Sequence, residues 1–256
     1  MEKNMTISQN ITILFDGRWT AQNIEVNEIQ STRLVDRNLE SALSVSWNNT
    51  VDAARKEGKK VWDSDVYRFE HLELSMEKLY LYFSIIPFSV RLEMNKYTEK
   101  IRQLGQSYGA KGLFSSCLVK TVDGYFVFVL KSDTYLTQKK YAWVGGVLSK
   151  SEEIIRSGSD LFRSAEREVF EELGVKKEHI TETTLRVGYL TENWNVCLLF
   201  FVQLSLTKNE LQKQFESFSD DEAKDLVFIN ENDNNDSLSI FEEKDRIKFV
   251  LMGVFC

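Results

Sequence analysis

The stretch Arg167-Glu168-Val169-Phe170-Glu171-Glu172-Leu173-Gly174-Val175 decides how the rest of the chain is read. On an α-helix, residues three and four apart share a face, so Glu168, Glu171 and Glu172 gather on one side. Three carboxylates at that spacing repel one another and weaken an isolated helix. They make sense where a hard divalent cation neutralises them, because Mg2+ and Mn2+ favour oxygen ligands. Arg167 can pair with one carboxylate and fix its orientation. Val169, Leu173 and Val175 supply apolar packing, and Gly174 suits the left-handed residue that ends a helix. An exposed acidic face is the plainer reading of E-x-x-E-E alone. The arginine, the aliphatic positions and the glycine-aliphatic stop favour metal binding.

Just upstream, the spacing predicts a helix over 160–173, with Ser159 as N-cap and Asp160 in the first turn. Before it, KYAWVGGVL (140–148) reads as a short strand running into the pair Gly145-Gly146. GLFSSCLVK (112–120) and YFVFVLK (125–131), joined by Thr121-Val122-Asp123-Gly124, read as a β-hairpin. Downstream, residues 184–193 and 195–206 read as a strand pair. A helix over 208–218, a strand over 225–229 and a helix near 237–251 complete the chain.

The N-terminal part has a different texture. ITILFDGRWT (11–20) predicts a hairpin around Asp16-Gly17, and residues 36–57 a helix stopped by Gly58. KLYLYFSII (78–86) predicts a buried strand, and residues 90–104 a helix closed by Gly105. A soft boundary falls in the glycine-rich GQSYGAKG (105–112). The expected organisation is an N-terminal α/β extension over 1–105 and a second unit over 106–256. Strands and helices are mixed rather than strictly alternating, so the expected class is α+β.

Of the 256 residues, 43% are hydrophobic and 28% charged, enough apolar material for a packed core. The net charge of −7 argues against broad electrostatic binding to nucleic acid or to an anionic membrane. No helix-turn-helix or basic stretch points to DNA. The longest apolar runs, 79–88 and 196–201, are too short to span a bilayer, and the first ten residues lack the apolar core of a signal peptide. Cys117, Cys197 and Cys256 lie far apart with no CxxC pair, which fits a reducing compartment and a cytoplasmic protein.

Residues 167–175 resemble, at every fixed position, the second half of the box that marks Nudix hydrolases, R-E-aliphatic-x-E-E-x-G-aliphatic. The resemblance implies an α/β/α sandwich with a mixed sheet and the hydrolysis of a pyrophosphate bond in a nucleoside diphosphate linked to another moiety. It implies Mg2+ or Mn2+ held by Glu168, Glu171, Glu172 and the carbonyl of Gly146. Arg167 would orient the set. Gly145 and Gly146, with Trp143 beside them, would let the substrate approach closely. The family often adds a later acid as ligand or base; Glu222 is the first choice, with Asp221 second and Glu192 in the TENWN turn weaker.

The first half of the box departs from the pattern. Counted back from Arg167, its glutamate position holds Ser159, and counted forward from Gly146, Arg167 arrives seven residues late. The loop 147–159 therefore reads as expanded, with Glu152, Glu153 or Asp160 as replacements for the missing carboxylate. The usual proline before the glycine pair is Val144.

The layout of the extension is loosely similar to that of Nudix proteins that hydrolyse UDP-glucose and UDP-galactose, making a nucleotide sugar the first-choice substrate and the extension part of its pocket or a homodimer surface. Arg68 and Arg91 are candidates for a diphosphate or sugar, although surface arginines ordinarily contact neither. Trp194, like Trp143, is a candidate for stacking on a base. Two other readings compete. One is a Nudix-fold nucleotide-binding sensor without turnover. The other is an isopentenyl diphosphate isomerase, which would need Cys117 as more than a small buried residue.

Overall fold

The computed structural model describes residues 11–131, 141–218 and 223–232. Glu222, Asp221, Cys256 and the expected helix near 237–251 lie outside them. In chain order the elements are β1 (Thr12–Trp19), β2 (Ile24–Glu28), α1 (Arg37–Lys56), β3 (Asp65–Leu74), β4 (Leu79–Pro87), α2 (Phe88–Met94) and α3 (Thr98–Leu104). They continue with β5 (Leu113–Lys120), β6 (Tyr125–Lys131), β7 (Tyr141–Ala142), α4 (Gly158–Leu173), β8 (Ile180–Leu190), β9 (Val196–Leu204), α5 (Lys208–Ser217) and β10 (Ala223–Asn230).

Seven strands form the larger sheet, in the order β1-β8-β9-β5-β6-β10 with β7 on β6; β2-β4-β3 form a smaller one. The larger sheet is mixed, since β5 pairs β9 in parallel and β8 pairs β9 antiparallel. The class is α+β, as the sequence suggests.

Side-chain alternation along β5 sorts the layers. Leu113, Cys117 and Val119 face a core shared with Leu161, Ala165, Val169 and Leu173 of α4. Phe114 and Leu118 point the other way, into two smaller clusters. On β3 the same alternation puts Tyr67 and Phe69 in the α4 core and Val66 against α1, α2 and α3, where Leu39, Leu43, Met94 and Ile101 meet Val147. Helices therefore cover both faces of β3. Each fully buried leucine or valine contributes about 1.5–3 kcal/mol, so this double cover stabilises the centre most.

The segment 144–150 joins the two sheets. On one side, Cys117 N donates to Val144 O at 2.7 Å and Ser115 N to Gly146 O at 2.9 Å. On the other, Tyr67 N donates to Leu148 O at 2.9 Å, and Lys150 N to Asp65 O at 2.9 Å. This short extended run is thus held between β5 and β3.

Three local expectations change. Residues 11–20 form no hairpin: β1 is one strand along β8, and Gly17 (φ 138°) sits where its register slips. The helix expected over 90–104 is broken into α2 and α3 by a 3-10 turn at Asn95–Tyr97. Ser157, not Ser159, caps α4; its hydroxyl accepts the Asp160 amide at 3.3 Å, and the helix starts two residues earlier. Two serines flank Gly158, and only the first has the extended backbone of a cap.

Candidate active site

Helix α4 delivers the acidic residues. Its C-terminal stop is Gly174 at φ 70°, the left-handed geometry that the glycine supplies cheaply. Glu172 is fully buried and Glu168 nearly so, while the Glu171 side chain is 44% exposed. The three therefore do not share one environment, and the two buried ones face the glycine pair.

Gly145 N donates to Glu172 Oε1 at 2.8 Å. Gly145 has φ 143°, and a Cβ there would run into the Ser115 carbonyl of β5, so both backbone angle and space require glycine. At Gly146 a Cβ would sit 2.7 Å from Glu168 Oε2. The bare Cα is what leaves room beside that carboxylate. One lone pair of the Gly146 carbonyl accepts the Ser115 amide.

Arg167 gathers three carboxylates. Its guanidinium donates to Glu171 at 2.6 Å, to Glu168 at 3.0 Å and to Glu152 at 3.0 Å. Of the three loop acids considered as replacements, Glu152 alone reaches Arg167 among the described residues. Glu153 pairs with Arg163, and Asp160 caps its own helix through the Arg156 amide and the Ser157 hydroxyl, both at 2.9 Å. The spacing carried this signal. Glu152 stands six residues after Gly146, the box distance, and the seven extra residues lie between Glu152 and Arg167. Counting back from Arg167 misses it; counting forward from Gly146 finds it.

Lys131, at the end of β6, is a residue the sequence did not flag. Its Nζ lies 2.7 Å from Glu172 Oε1, the oxygen that also takes the Gly145 amide. Among the described residues, the carboxylates Glu152, Glu168 and Glu171 pair with Arg167, and Glu172 with Lys131. Burial pushes the Glu168 carboxyl up to about 8; Arg167 opposes this, and Glu172 and Glu171 add to it.

Among the described residues, no three histidine, cysteine or carboxylate side chains converge closely enough to enclose a metal ion. The donor set still fits a hard divalent cation in kind. Its donors are carboxylate oxygens, and the bare Gly146 Cα keeps side-chain bulk off the Glu168 carboxylate. Glu168, Glu171 and Glu172 would hold such an ion.

Other candidates fall elsewhere. Trp143 is 3% exposed and packs edge-on against Phe128, as a core residue. Cys117 is fully buried, with its thiol 3.7 Å from the Ala165 carbonyl and its pKa pushed well up by burial. Neither Arg68 nor Arg91 is a surface arginine. Arg68 is 1% exposed and paired with Glu70; Arg91 is partly buried on α2. Glu192 is exposed. No described helix is long and apolar enough to cross a membrane.

No family model and no curated protein matches the sequence. Solved structures similar to parts of the chain include a bifunctional NMN adenylyltransferase/ADP ribose pyrophosphatase from Francisella tularensis, solved with AMP and a Mn ion. It has 16% identity and a TM-score of 0.41, over 62% of this chain and 47% of that one. The Nudix hydrolase RenU from M. smegmatis has 11% identity and a TM-score of 0.37, over 56% of this chain and 87% of that one. A C. elegans Ap4A hydrolase has 14% identity and a TM-score of 0.36, over 56% and 98%.

Proposed function

We propose that this chain is a Nudix-type, divalent-metal-dependent hydrolase. Its substrate would be the pyrophosphate bond of a nucleoside diphosphate linked to another moiety, with a UDP-sugar as first choice. The observation that carries this reading is the seating of Glu168 and Glu172 of the box helix against Gly145-Gly146, with Arg167 joining Glu168, Glu171 and Glu152. Mg2+ or Mn2+, when bound, neutralises pyrophosphate oxygens and makes a bound water acidic enough to attack.

The chain's own residues do the rest. Glu168, Glu171 and Glu172 hold the cation. Arg167 fixes the directions of Glu168 and Glu171, and Glu152 ties the expanded loop to that arginine. The Gly145 amide orients Glu172. Gly146 keeps the approach free of side-chain bulk, so a phosphate can come close to the backbone. A box glutamate or Glu222 takes the proton from water. Positioning and charge neutralisation suffice for in-line displacement, without a protein nucleophile. Residues 1–105 are assigned to the substrate pocket or a homodimer surface, and a cytoplasmic setting suits the buried thiols of Cys117 and Cys197.

The test is release of nucleoside monophosphate from UDP-sugars, ADP-ribose, NADH and dinucleoside polyphosphates, with Mg2+ or Mn2+. No product from any of them rejects the hydrolase reading.

A sensor without turnover is the second reading. Lys131 favours it, since its ammonium already neutralises the Glu172 oxygen. Glu172→Gln separates the two: a sensor retains its nucleotide response, whereas an enzyme loses most turnover.

A further inference from the structure

A cavity of about 490 Å³ opens between α1 and the segment 59–63 that follows it. Trp47, Val51 and Arg55 recur at helical spacing along its α1 wall, with Asn48 and Asp52 beside them. Gly58 turns the chain at φ 69°, and Lys59 N donates back to Ala54 O at 2.9 Å. Val61 and Trp62 then form the opposite wall. The volume falls within the roughly 300–1,000 Å³ usual for small-molecule sites. None of the lining residues belongs to the box or to its loop.

The two ends of the cavity differ in chemistry. At one end, the Trp62 ring stacks on Phe88 at 4.2 Å and 25°, and Trp47 meets the same ring edge-on at 6.5 Å. Trp62 is nevertheless 40% exposed, so part of the indole stays open to the cavity. Large rings are ordinarily more completely covered than this.

At the other end stand Arg55 and Lys59. Arg55 lies about 12 Å from Trp47 along the helix axis, at about 1.5 Å per residue. Its side chain is 75% exposed and reaches Asp52 only at 4.0 Å, an exposed pair that contributes little. Lys59 pairs with Glu57 at 2.8 Å, yet an ammonium carries three donors. With Lys56 and Lys60, four cations and one carboxylate fall within residues 55–60. Asp63, the acid of the opposite wall, accepts the Ser89 amide at 2.8 Å.

We propose that this cavity binds a nucleotide, with the base on Trp62 and the phosphate at Arg55 and Lys59. Stacking on an indole accepts any base, because every base has a π face. A guanidinium fork matches the oxygens of a phosphate. Asn48 and Asp52 supply an amide and a carboxylate for the base edge and the ribose hydroxyls. A simple anion would leave the indoles unused, and an uncharged ring would leave the cations unused. The occupant is a free nucleotide rather than a strand, since the net charge of −7 opposes a longer polyanion.

The experiment is calorimetric titration of the full chain with AMP and, separately, with adenosine, both in EDTA. AMP has no pyrophosphate bond to cut, so turnover does not intrude. Trp62→Leu is expected to weaken both ligands at least tenfold. Arg55→Met should weaken AMP at least fivefold and leave adenosine within twofold. Glu172→Gln should leave AMP within twofold; a tenfold loss there puts the nucleotide at the box and overturns the proposal. A hexa-adenylate RNA that binds tenfold more tightly than AMP overturns the free nucleotide as occupant. Should Trp62→Leu not fold, Arg55→Met decides, because it changes an exposed helix position; unaltered AMP affinity in it overturns the proposal. Failure of the wild-type chain to bind AMP overturns it as well.

Discussion

Glu172 accepts the Gly145 amide hydrogen at 2.8 Å, tying the last turn of α4 to a glycine 27 residues earlier in the chain. The bond joins a fully buried carboxylate to a backbone position that only glycine can occupy.

The two glycines should therefore fail differently. Gly145→Ala forces a Cβ into the Ser115 carbonyl at a positive φ and should cost about 2–4 kcal/mol, read from urea unfolding midpoints. Gly146→Ala has no positive φ to pay for and should cost under about 1 kcal/mol. Its methyl meets Glu168 instead, so metal-dependent turnover should fall while the fold persists. Equal stability losses would contradict this division.

Arg167→Lys is not a conservative change here. One ammonium cannot reach Glu152, Glu168 and Glu171 in the fixed directions of a guanidinium. Turnover should drop about 10–100-fold, the usual cost of losing a group that orients metal ligands. Glu152→Gln should show a milder loss, with faster proteolysis in residues 147–157 seen by mass spectrometry. Wild-type kinetics for Arg167→Lys would remove the arginine from the site.

Lys131→Met removes the ammonium that lies 2.7 Å from Glu172 Oε1 and leaves that buried carboxylate its bond from the Gly145 amide. Without divalent ions the variant should be less stable by roughly 1–3 kcal/mol. Thermal melts should then show a larger Mn2+-induced gain in Tm than wild type shows. A smaller gain would mean that Lys131 supports the cation rather than competing with it.

Acid should unfold the protein partly through Glu70. Burial pulls its carboxyl up, but hydrogen bonds from Arg68, Ser84 and Thr32 outweigh it and hold the group at about 2, below the ordinary 4.5. A depressed folded-state value means that the contribution is complete above about pH 4.5 and is lost as pH falls towards 2. Its size is on the order of 3 kcal/mol. Urea midpoints measured from pH 6 to pH 3 should decline in wild type. They should be lower but flatter in Glu70→Gln, and parallel curves would exclude Glu70 as the cause.

Elements whose local signals agree with their packing were legible. The β5–β6 hairpin carries Gly124 at φ 87°, α1 has Asp36 accepting the Leu39 amide at 2.8 Å, and α4 ends where Gly174 turns left-handed. The box helix was readable because its glycine stop, apolar spacing and carboxylates all fall within nine residues. What stayed hidden depends on distant partners. Asp16-Gly17 has the composition of a tight turn, yet pairing with β8 carries the strand through it. Lys131 gains its place only when β6 meets α4, and no local pattern marks it. Arg91 reads as a surface residue until Gly112 and the β8–β9 turn close around it.

Residues 144–150 are clasped from both flanks, by β5 and by β3. A protein severed near residue 105 would keep the box helix but lose one jaw of that clamp. The amino-terminal part is then a brace for this run rather than an attachment, and anything that loosens it should be felt first at the two glycines.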